Sequence, residues 1–275
     1  MLKDITFGQY LFVKSPIHRL DARLKIIFTI LFIAMLFSSS SVPGIGITII
    51  FSIILFFVAH IPLRMLLKGL KPILPIVLFT SVLNMFFVEG DPLVSLWGIT
   101  IAREGVQSAI LLTLRIMCLI AGSSLLTYTT SPLELTSAIE SLLSPLKLFK
   151  LPVHELAMMM TIALRMIPAL IEETDKIMSA QKSRGANLDT GKFTQRVRAL
   201  VPVLVPLFIS AFRRADELAL AMECRCYHGG EGRTRLKVMK YTWRDAVALL
   251  IFGAVFAGVI ATKYVAWSGF LSITL

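Results

Sequence analysis

The feature that most constrains this chain is a stretch of 34 residues, 26–59, without a single charged side chain. One α-helix crosses the hydrocarbon core of a bilayer with about 20 residues. The stretch is therefore too long for one crossing, and the Ser, Pro and Gly residues between Ser38 and Gly44 predict a break inside it. We expect two short membrane-spanning helices joined by a polar turn.

Three further stretches have the same apolar character. They are residues 72–88, residues 106–128, which are interrupted only by Arg115, and residues 246–262. The chain is 56% hydrophobic and 16% charged, whereas a soluble domain carries about 25% charged residues. We therefore predict an all-α integral membrane protein with about five transmembrane helices. The composition excludes a secreted or cytosolic globular enzyme.

The distribution of charge along the chain predicts its orientation in the membrane. Basic side chains precede the first span and lie again after the second, at Arg64, Lys68 and Lys71, whereas the loop after the third span is net negative. Loops rich in Lys and Arg stay in the cytoplasm. We therefore expect a multi-pass protein of the cell membrane with a cytoplasmic N-terminus and, after five crossings, an external C-terminus.

Residues 129–244 differ from the rest, because they hold 17 of the 28 basic and 11 of the 17 acidic residues. This mixture predicts a cytoplasmic or interfacial domain of long helices at 129–245. A transmembrane domain of about four spans precedes it at 1–128, and a transmembrane helix with a short tail follows at 246–275. The predicted helices are one capped by Ser131 and Glu134, one over residues 153–184 that ends at Gly185, and one over residues 193–227 that bends near Pro202 and Pro206 and ends at Gly229 and Gly230.

The ends of the two long helices are similar in sequence. Residues 175–185 align without a gap on residues 216–226, at an offset of 41. The identical pairs are Asp175 and Asp216, Ala180 and Ala221, and Arg184 and Arg225. Two similar helix ends suit a protein that makes one kind of contact twice. The alternative is a purely structural role, because a cation in the last turn of a helix is stabilised by the helix dipole by about 0.3–1 kcal/mol.

These residues resemble the short Ala-Arg-Gly-type motifs of EcfT, the transmembrane T component of energy-coupling factor (ECF) transporters. The matching segments are 163–168, which contains Arg165 and Pro168, then 180–185 and 221–227. The resemblance covers nearly the whole chain in span layout and order. The sequence departs from the motifs at Ser183, Cys224 and Cys226, where the family has Ala, Ala and Gly.

The resemblance implies a scaffold without enzymatic activity in an ABC-type importer. It would join two ATPase subunits, EcfA and EcfA', to an interchangeable membrane-embedded S component that selects a vitamin or a metal ion. The chain would bind no cofactor, because the ATPases bind ATP and Mg²⁺. The implied ATPase-coupling residues are Ser183, Arg184, Gly185, Cys224, Arg225 and Cys226. Arg115, Arg165, Pro168, Asp175 and Asp216 are further structural or functional candidates.

Other sequence patterns give weaker evidence of function. The segment from Gly185 to Lys192 imitates a phosphate-binding loop, but it has the wrong spacing and follows a helix. Cys224, Cys226 and His228 would be a poor metal site, because they offer no fourth ligand. Arg115 either serves a function within the fourth span, or it has a structural role in which it snorkels or bonds carbonyl groups inside the helix bundle. The alternatives to a transport scaffold are an integral membrane enzyme acting on lipid and a basic membrane anchor; the mixed charges argue against nucleic acid as a partner.

Overall fold

The computed structural model describes residues 10–39, 42–88, 92–96, 99–186, 193–229, 239 and 241–267, and it confirms the predicted fold class, because it is helical apart from one small two-stranded sheet. The helices within these ranges are α1 (Ala22–Ser38), α2 (Val42–Ala59), α3 (Leu63–Leu70), α4 (Leu74–Phe87), α5 (Arg103–Thr129), α6 (Pro132–Leu142), α7 (Val153–Ser183), α8 (Phe193–Glu223) and α9 (Trp243–Trp267). A short 3-10 helix, Ser144–Phe149, lies between α6 and α7.

The long uncharged stretch forms two helices, as predicted. Asp21 caps the first of them, since its Oδ1 accepts the backbone N–H of Arg23 at 2.9 Å. The break is shorter than expected, because Pro43 and Gly44 already belong to α2. Proline is tolerated in the first turn of a helix, where its missing N–H would have no partner in the helix.

Four helices in the described part of the chain are long and apolar enough to cross a membrane: α2, α5, α7 and residues Trp243–Thr262 of α9. The pair α3 and α4, bent by 59°, would make a fifth if it is one span. α1 has 17 residues, slightly fewer than the roughly 20 of a full crossing. α7 is the least apolar of the four. The predicted set of five spans, which includes α1 and leaves α7 outside the bilayer, stays a prediction.

The chain divides into two compact units. The transmembrane unit comprises Gly8–Ala138 and Val238–Leu275, and the helical-pair unit comprises Met1–Phe7 and Ile139–Lys237. The core of the transmembrane unit is formed by buried side chains of α1, α2, α5 and α9. They are Phe32, Met35, Leu36, Phe51, Cys118, Phe252 and Val259. A Cβ atom on Gly122 of α5 would overlap the Phe32 ring, so α5 can approach α1 this closely only with glycine at that position.

One small sheet was not predicted. Strands β1 (Pro92–Leu96) and β2 (Ile99–Ala102) pair antiparallel, with Leu96 opposite Ile99, and β2 leads directly into α5. The alternation that indicates a strand is hard to recognise in runs of four or five residues.

The predicted capping box of α6 is confirmed on its N-cap side, because the N–H of Glu134 donates to Ser131 Oγ at 3.3 Å. The apolar pattern after α6 continues to Leu146, yet the α-helix ends at Leu142 and a 3-10 helix follows. Pro145 explains the change, because it cannot donate the hydrogen bond that an α-helix needs at that position.

Candidate functional site

The end of α7 is a Schellman motif built around Gly185. Arg184 is the C-cap, and its N–H donates to the carbonyl oxygens of Ala180 and Gln181 at 3.2 and 3.1 Å. Gly185 follows with a φ of +85°, and its N–H donates to Lys182 O at 3.0 Å. A bond of 3.0 Å from Ala186 N to Gln181 O closes the motif. The prediction that α7 ends at Gly185 is confirmed.

The end of α8 has the same motif one repeat later. The N–H of Arg225 donates to Met222 O at 3.1 Å, and Cys226 follows with a φ of +53°. Cys226 N then donates to Glu223 O at 2.9 Å, and Tyr227 N to Met222 O at 3.1 Å. The prediction that this helix continues to Tyr227 and ends at Gly229 and Gly230 is therefore wrong, because Cys226 is the left-handed residue that ends α8.

The two motifs agree residue by residue with the offset of 41 seen in the sequence. Arg184 and Arg225 both occupy the C-cap, and Gly185 and Cys226 both occupy the left-handed position after it. A cysteine in this conformation pays the steric cost that glycine avoids. Backbone geometry therefore supports the internal repeat independently of the three sequence identities.

Both motifs are exposed within the helical-pair unit. The exposed residues are Ser183, Arg184, Gly185, Cys224, Arg225 and Cys226. Each guanidinium group extends from a C-cap beside a sharp turn of the backbone. Such a group can donate two parallel hydrogen bonds to a carboxylate of another protein, or bond its backbone carbonyls.

An ion pair joins α7 and α8 at equivalent positions of the repeat. Arg214 Nη2 lies 3.0 Å from Glu173 Oε2, and both side chains are partly exposed. Glu173 and Arg214 are also 41 residues apart. A contact between equivalent positions of two repeats marks an approximate two-fold axis. Arg184 lies 11 residues after Glu173, and Arg225 lies 11 residues after Arg214, so the two motifs are equally far from this axis.

Two more contacts show that α7 and α8 run antiparallel. Towards the end of α7, Gln181 Nε2 donates to Pro202 O, early in α8, at 3.3 Å. At the opposite end of the pair, Ile162 of α7 and Met222 of α8 line a common cavity. The acceptor at Pro202 is available because Pro206, four residues later, has no N–H to donate to it.

The antiparallel arrangement places the two arginines at opposite ends of the helix pair. Eleven residues of α-helix span roughly 16 Å, so Arg184 and Arg225 lie on the order of 30 Å apart along the pair. A single small ligand cannot contact both residues over this distance. The arrangement is suited to two separate macromolecular contacts of one kind.

The remaining candidates occupy varied positions. Asp175 and Asp216 lie at equivalent places on α7 and α8, nine residues before their arginines. Arg165 is exposed on α7, and Pro168 lies inside the same helix, which continues past it without interruption.

Arg115 of α5 contacts the end of α1. Its Nη2 donates to the carbonyl oxygen of Ser39, the C-cap of α1, at 2.7 Å. A cation is favoured at this end of a helix because of the helix dipole. Of the two roles open from the sequence, this contact favours the bonding of a carbonyl group within the helix bundle.

The structure describes the possible metal site near the motifs, but not the whole segment that imitates a phosphate-binding loop. Among the described residues no group of three or more His, Cys, Asp or Glu side chains could hold a metal ion. In the Cys224 to His228 segment, His228 Nδ1 lies 2.8 Å from Cys226 O, which keeps the ring in the turn. The loop that ends at Lys192 lies outside the described residues.

Sequence reasoning missed Gln181 and the pair of Glu173 and Arg214. The ion pair could have been found by extending the alignment of the repeats two residues towards the N-terminus, where opposite charges stand at the same register. Gln181 had no such signal, because its partner is a backbone carbonyl released by a proline on the other helix.

The fold and its helix-end motifs define a multi-pass, helical membrane protein that carries a matched pair of exposed helix ends. A family model described as CbiQ, cobalt transport protein, matches residues 13–236. Similar proteins named energy-coupling factor transporter transmembrane protein EcfT occur in Ruminiclostridium cellulolyticum (50% identity over 266 residues, covering 96% of this chain and 99% of the relative) and in Clostridium kluyveri (52% over 252 residues, 91% and 93%). Another, from Bacillus subtilis, is 45% identical over 258 residues and covers 92% of this chain and 97% of the relative. The chain belongs to the EcfT family of transmembrane components of energy-coupling factor transporters.

Proposed function

We propose that this chain is the transmembrane scaffold of an ECF-type ABC importer. It couples ATP hydrolysis by two cytoplasmic ATPase subunits, EcfA and EcfA', to substrate uptake through a membrane-embedded S component. The observation that carries the proposal is the pair of equivalent, exposed C-cap arginines, Arg184 and Arg225, at equal distances from the ion pair between α7 and α8. The names of the relatives support a place in such a transporter.

In this proposal, the end of α7 that carries Arg184 contacts one ATPase, and the end of α8 that carries Arg225 contacts the other. An arginine fork enters a groove of the ATPase and bonds carboxylate or carbonyl oxygens there. The small or tightly turned residues beside each arginine, Gly185 and Cys226, let the partner approach the backbone closely. When the ATPases move during hydrolysis, the packed pair of α7 and α8 moves with them as a lever.

The S component contacts the apolar surface of the helical-pair unit. α8 exposes large apolar side chains at helical spacing, so they share one face: Val201, Leu204, Val205, Phe208, Ile209 and Phe212. On α7, Met159 is 54% exposed and Met160 is 46% exposed. Flexible methionine side chains suit a surface that accepts different S components.

The chain itself performs no chemistry in this proposal. ATP and Mg²⁺ belong to the ATPases, and the scaffold holds neither. Purified chain should therefore neither bind nor hydrolyse ATP. Turnover by the isolated chain that disappears in Lys192→Ala would contradict the scaffold function and support an enzymatic one.

Charge reversal of the two arginines tests the coupling proposal. Arg184→Glu and Arg225→Glu each place an anion where the partner offers oxygen atoms. Loss of a buried arginine contact at an interface costs about 2–5 kcal/mol, which lowers affinity about 30-fold to several thousand-fold. The mutant chains should still insert and retain the S component, while recovery of the ATPases and ATP-driven uptake fall, most severely in the double mutant.

Matched controls are available on the same helices. Lys176→Glu on α7 and Arg213→Glu on α8 reverse exposed cations away from the helix ends. Both should assemble and transport normally. If the two arginine mutants behave like these controls, Arg184 and Arg225 only stabilise their helix ends and the coupling proposal fails.

A further inference from the structure

The transmembrane unit contains an apolar cavity of about 370 Å³ between α1, α2, α5 and α9. Its walls are almost entirely hydrocarbon. They include Ile17, Phe28, Phe32, Leu55, Leu125 and Phe252. A cavity of this character excludes polar ligands and accepts an alkyl chain or another apolar group.

The cavity is open to the outer surface of the transmembrane unit. Its exposed lining residues include Ile54 and Val58 on α2, at 51% and 38%, and Val247 and Ile251 on α9, at 41% and 54%. These side chains belong to helices apolar enough to span a membrane. The opening between α2 and α9 therefore faces the bilayer, where lipid acyl chains are the most abundant apolar groups.

One end of the cavity is positively charged. Trp243, 71% exposed, and Arg244, also exposed, line it in the first turn of α9. Tryptophan at the end of a span lies at the level of the lipid headgroups. Lys25 lines the same end but is 6% exposed, and its Nζ donates to Thr129 O at 2.8 Å. Arg244 is therefore the exposed cation of this set.

Of the three carboxylates near Lys25 at this end, Glu134 does not line the cavity, and Asp21 and Asp245 are buried. Asp245, next to Arg244, is 2% exposed, and its two oxygens accept the backbone N–H groups of Thr242 at 2.7 Å and Asp21 at 3.0 Å. Asp21 itself is 9% exposed. An anion that approaches the exposed end of the cavity therefore encounters Arg244 before either carboxylate.

We propose that this cavity binds an anionic phospholipid, with one acyl chain between α2 and α9 and the headgroup phosphate against Arg244. Basic pockets between transmembrane helices are suited to anionic headgroups, and one cation near the membrane surface contributes about 1 kcal/mol, or roughly five-fold in affinity. This inference does not depend on the proposed coupling to ATPases.

Fluorescence quenching of Trp243 by brominated lipids tests the proposal. The full-length chain, with Trp97 and Trp267 changed to Phe, is reconstituted in phosphatidylcholine vesicles. These contain a small fraction of brominated phosphatidylglycerol or, in parallel, brominated phosphatidylcholine. We expect the anionic lipid to compete for the site about five-fold better than the zwitterionic lipid. Arg244→Gln should remove this preference, and Arg64→Gln, which changes an exposed arginine on α3, should leave it intact.

A second pair of variants tests the cavity itself. Ala248→Phe fills the cavity and should abolish saturable quenching by both lipids, while Ala254→Phe adds the same ring at an exposed position of α9 outside the lining. If Ala248→Phe does not fold, Ala248→Leu takes its place, and it should partly reduce the saturable quenching by both lipids. Equal quenching by the two lipids in the parent chain would overturn the proposal. So would persistence of the preference in Ala248→Phe.

Discussion

Replacing Lys25 by Met should destabilise the transmembrane unit strongly. Lys25 lies in the first turn of α1 with 6% of its surface exposed. Its ammonium group donates to His18 O at 3.2 Å and to Thr129 O at 2.8 Å, the latter at the C-terminal end of α5. Met has a similar apolar stem, so the change removes the charge and both hydrogen bonds while preserving most of the packing.

The expected loss can be worked out from these contacts. Two carbonyl oxygens lose their donor, at about 1–3 kcal/mol for each group that remains buried and unpaired. The carboxylate of Glu134 and the buried carboxylates of Asp21 and Asp245 also lose a nearby cation. Relief from burying an ammonium group offsets part of this loss. We expect a net destabilisation of about 3 kcal/mol, which corresponds to roughly 6–12 °C for a chain of this size.

The buried thiol of Cys118 provides the measurement. Cys118 is 8% exposed, so a fluorogenic maleimide reacts with it only as the unit unfolds in detergent. The exposed thiols are removed by Cys224→Ser and Cys226→Gly in every variant. Lys68→Met, at an exposed position of α3, is the control and should change the midpoint by no more than about 0.5 kcal/mol. If Lys25→Met unfolds at the temperature of the control, the two hydrogen bonds of Lys25 only balance the cost of burying its ammonium group, and the expected destabilisation is wrong.

Three further results are expected. Cys226→Gly should stabilise the helical pair by about 0.5 kcal/mol and Gly185→Ala should destabilise it by about 1–2 kcal/mol, because both positions have left-handed backbone. Circular dichroism melts measure both changes. Destabilisation by Cys226→Gly together with stabilisation by Gly185→Ala would refute the shared motif. Burial, followed by the charge of Lys25, lowers the pKa of His18 below 6.5. The folded state therefore takes up a proton less readily than the unfolded state, and stability should fall as pH drops below 6.5. His18→Gln should reduce this dependence of stability on pH, and an unchanged dependence would assign it to other groups. A thiol placed at Ser272 should react with an impermeant reagent only from outside the cell, and labelling only from the cytoplasm would show that the five-span topology is wrong.

Much of the helical layout could be predicted because the signals are local. The break between α1 and α2, the capping role of Ser131 and the end of α7 at Gly185 each follow from residues within one or two turns of the feature. The end of α8 was predicted at the wrong residue because Cys226 adopts a left-handed conformation that is usually found at glycine. The glycine pair downstream was the stronger local signal and pointed to the wrong residue.

Contacts between distant parts of the chain were harder to predict. The repeat placed Arg184 and Arg225 at matching helix ends, yet the antiparallel packing that separates them depends on contacts such as Gln181 to Pro202. Arg115 shows the same limit, because its acceptor on Ser39 lies 76 residues away. Periodicity identifies the buried face of a helix and says little about which carbonyl oxygen lies opposite a given arginine.

The position of Lys25 has a consequence for how the chain is made. Its acceptor on Thr129 is separated from it by 104 residues, and Asp245, which accepts from Asp21 at the start of the same helix, is 224 residues beyond Asp21. When α1 leaves the ribosome, neither partner has been synthesised. The first helix must therefore wait beside the translocation machinery, or at the membrane surface, with its charges hydrated. The bundle closes only after translation of α9, so a chain truncated before Trp243 should be held back as an incomplete and degradable intermediate.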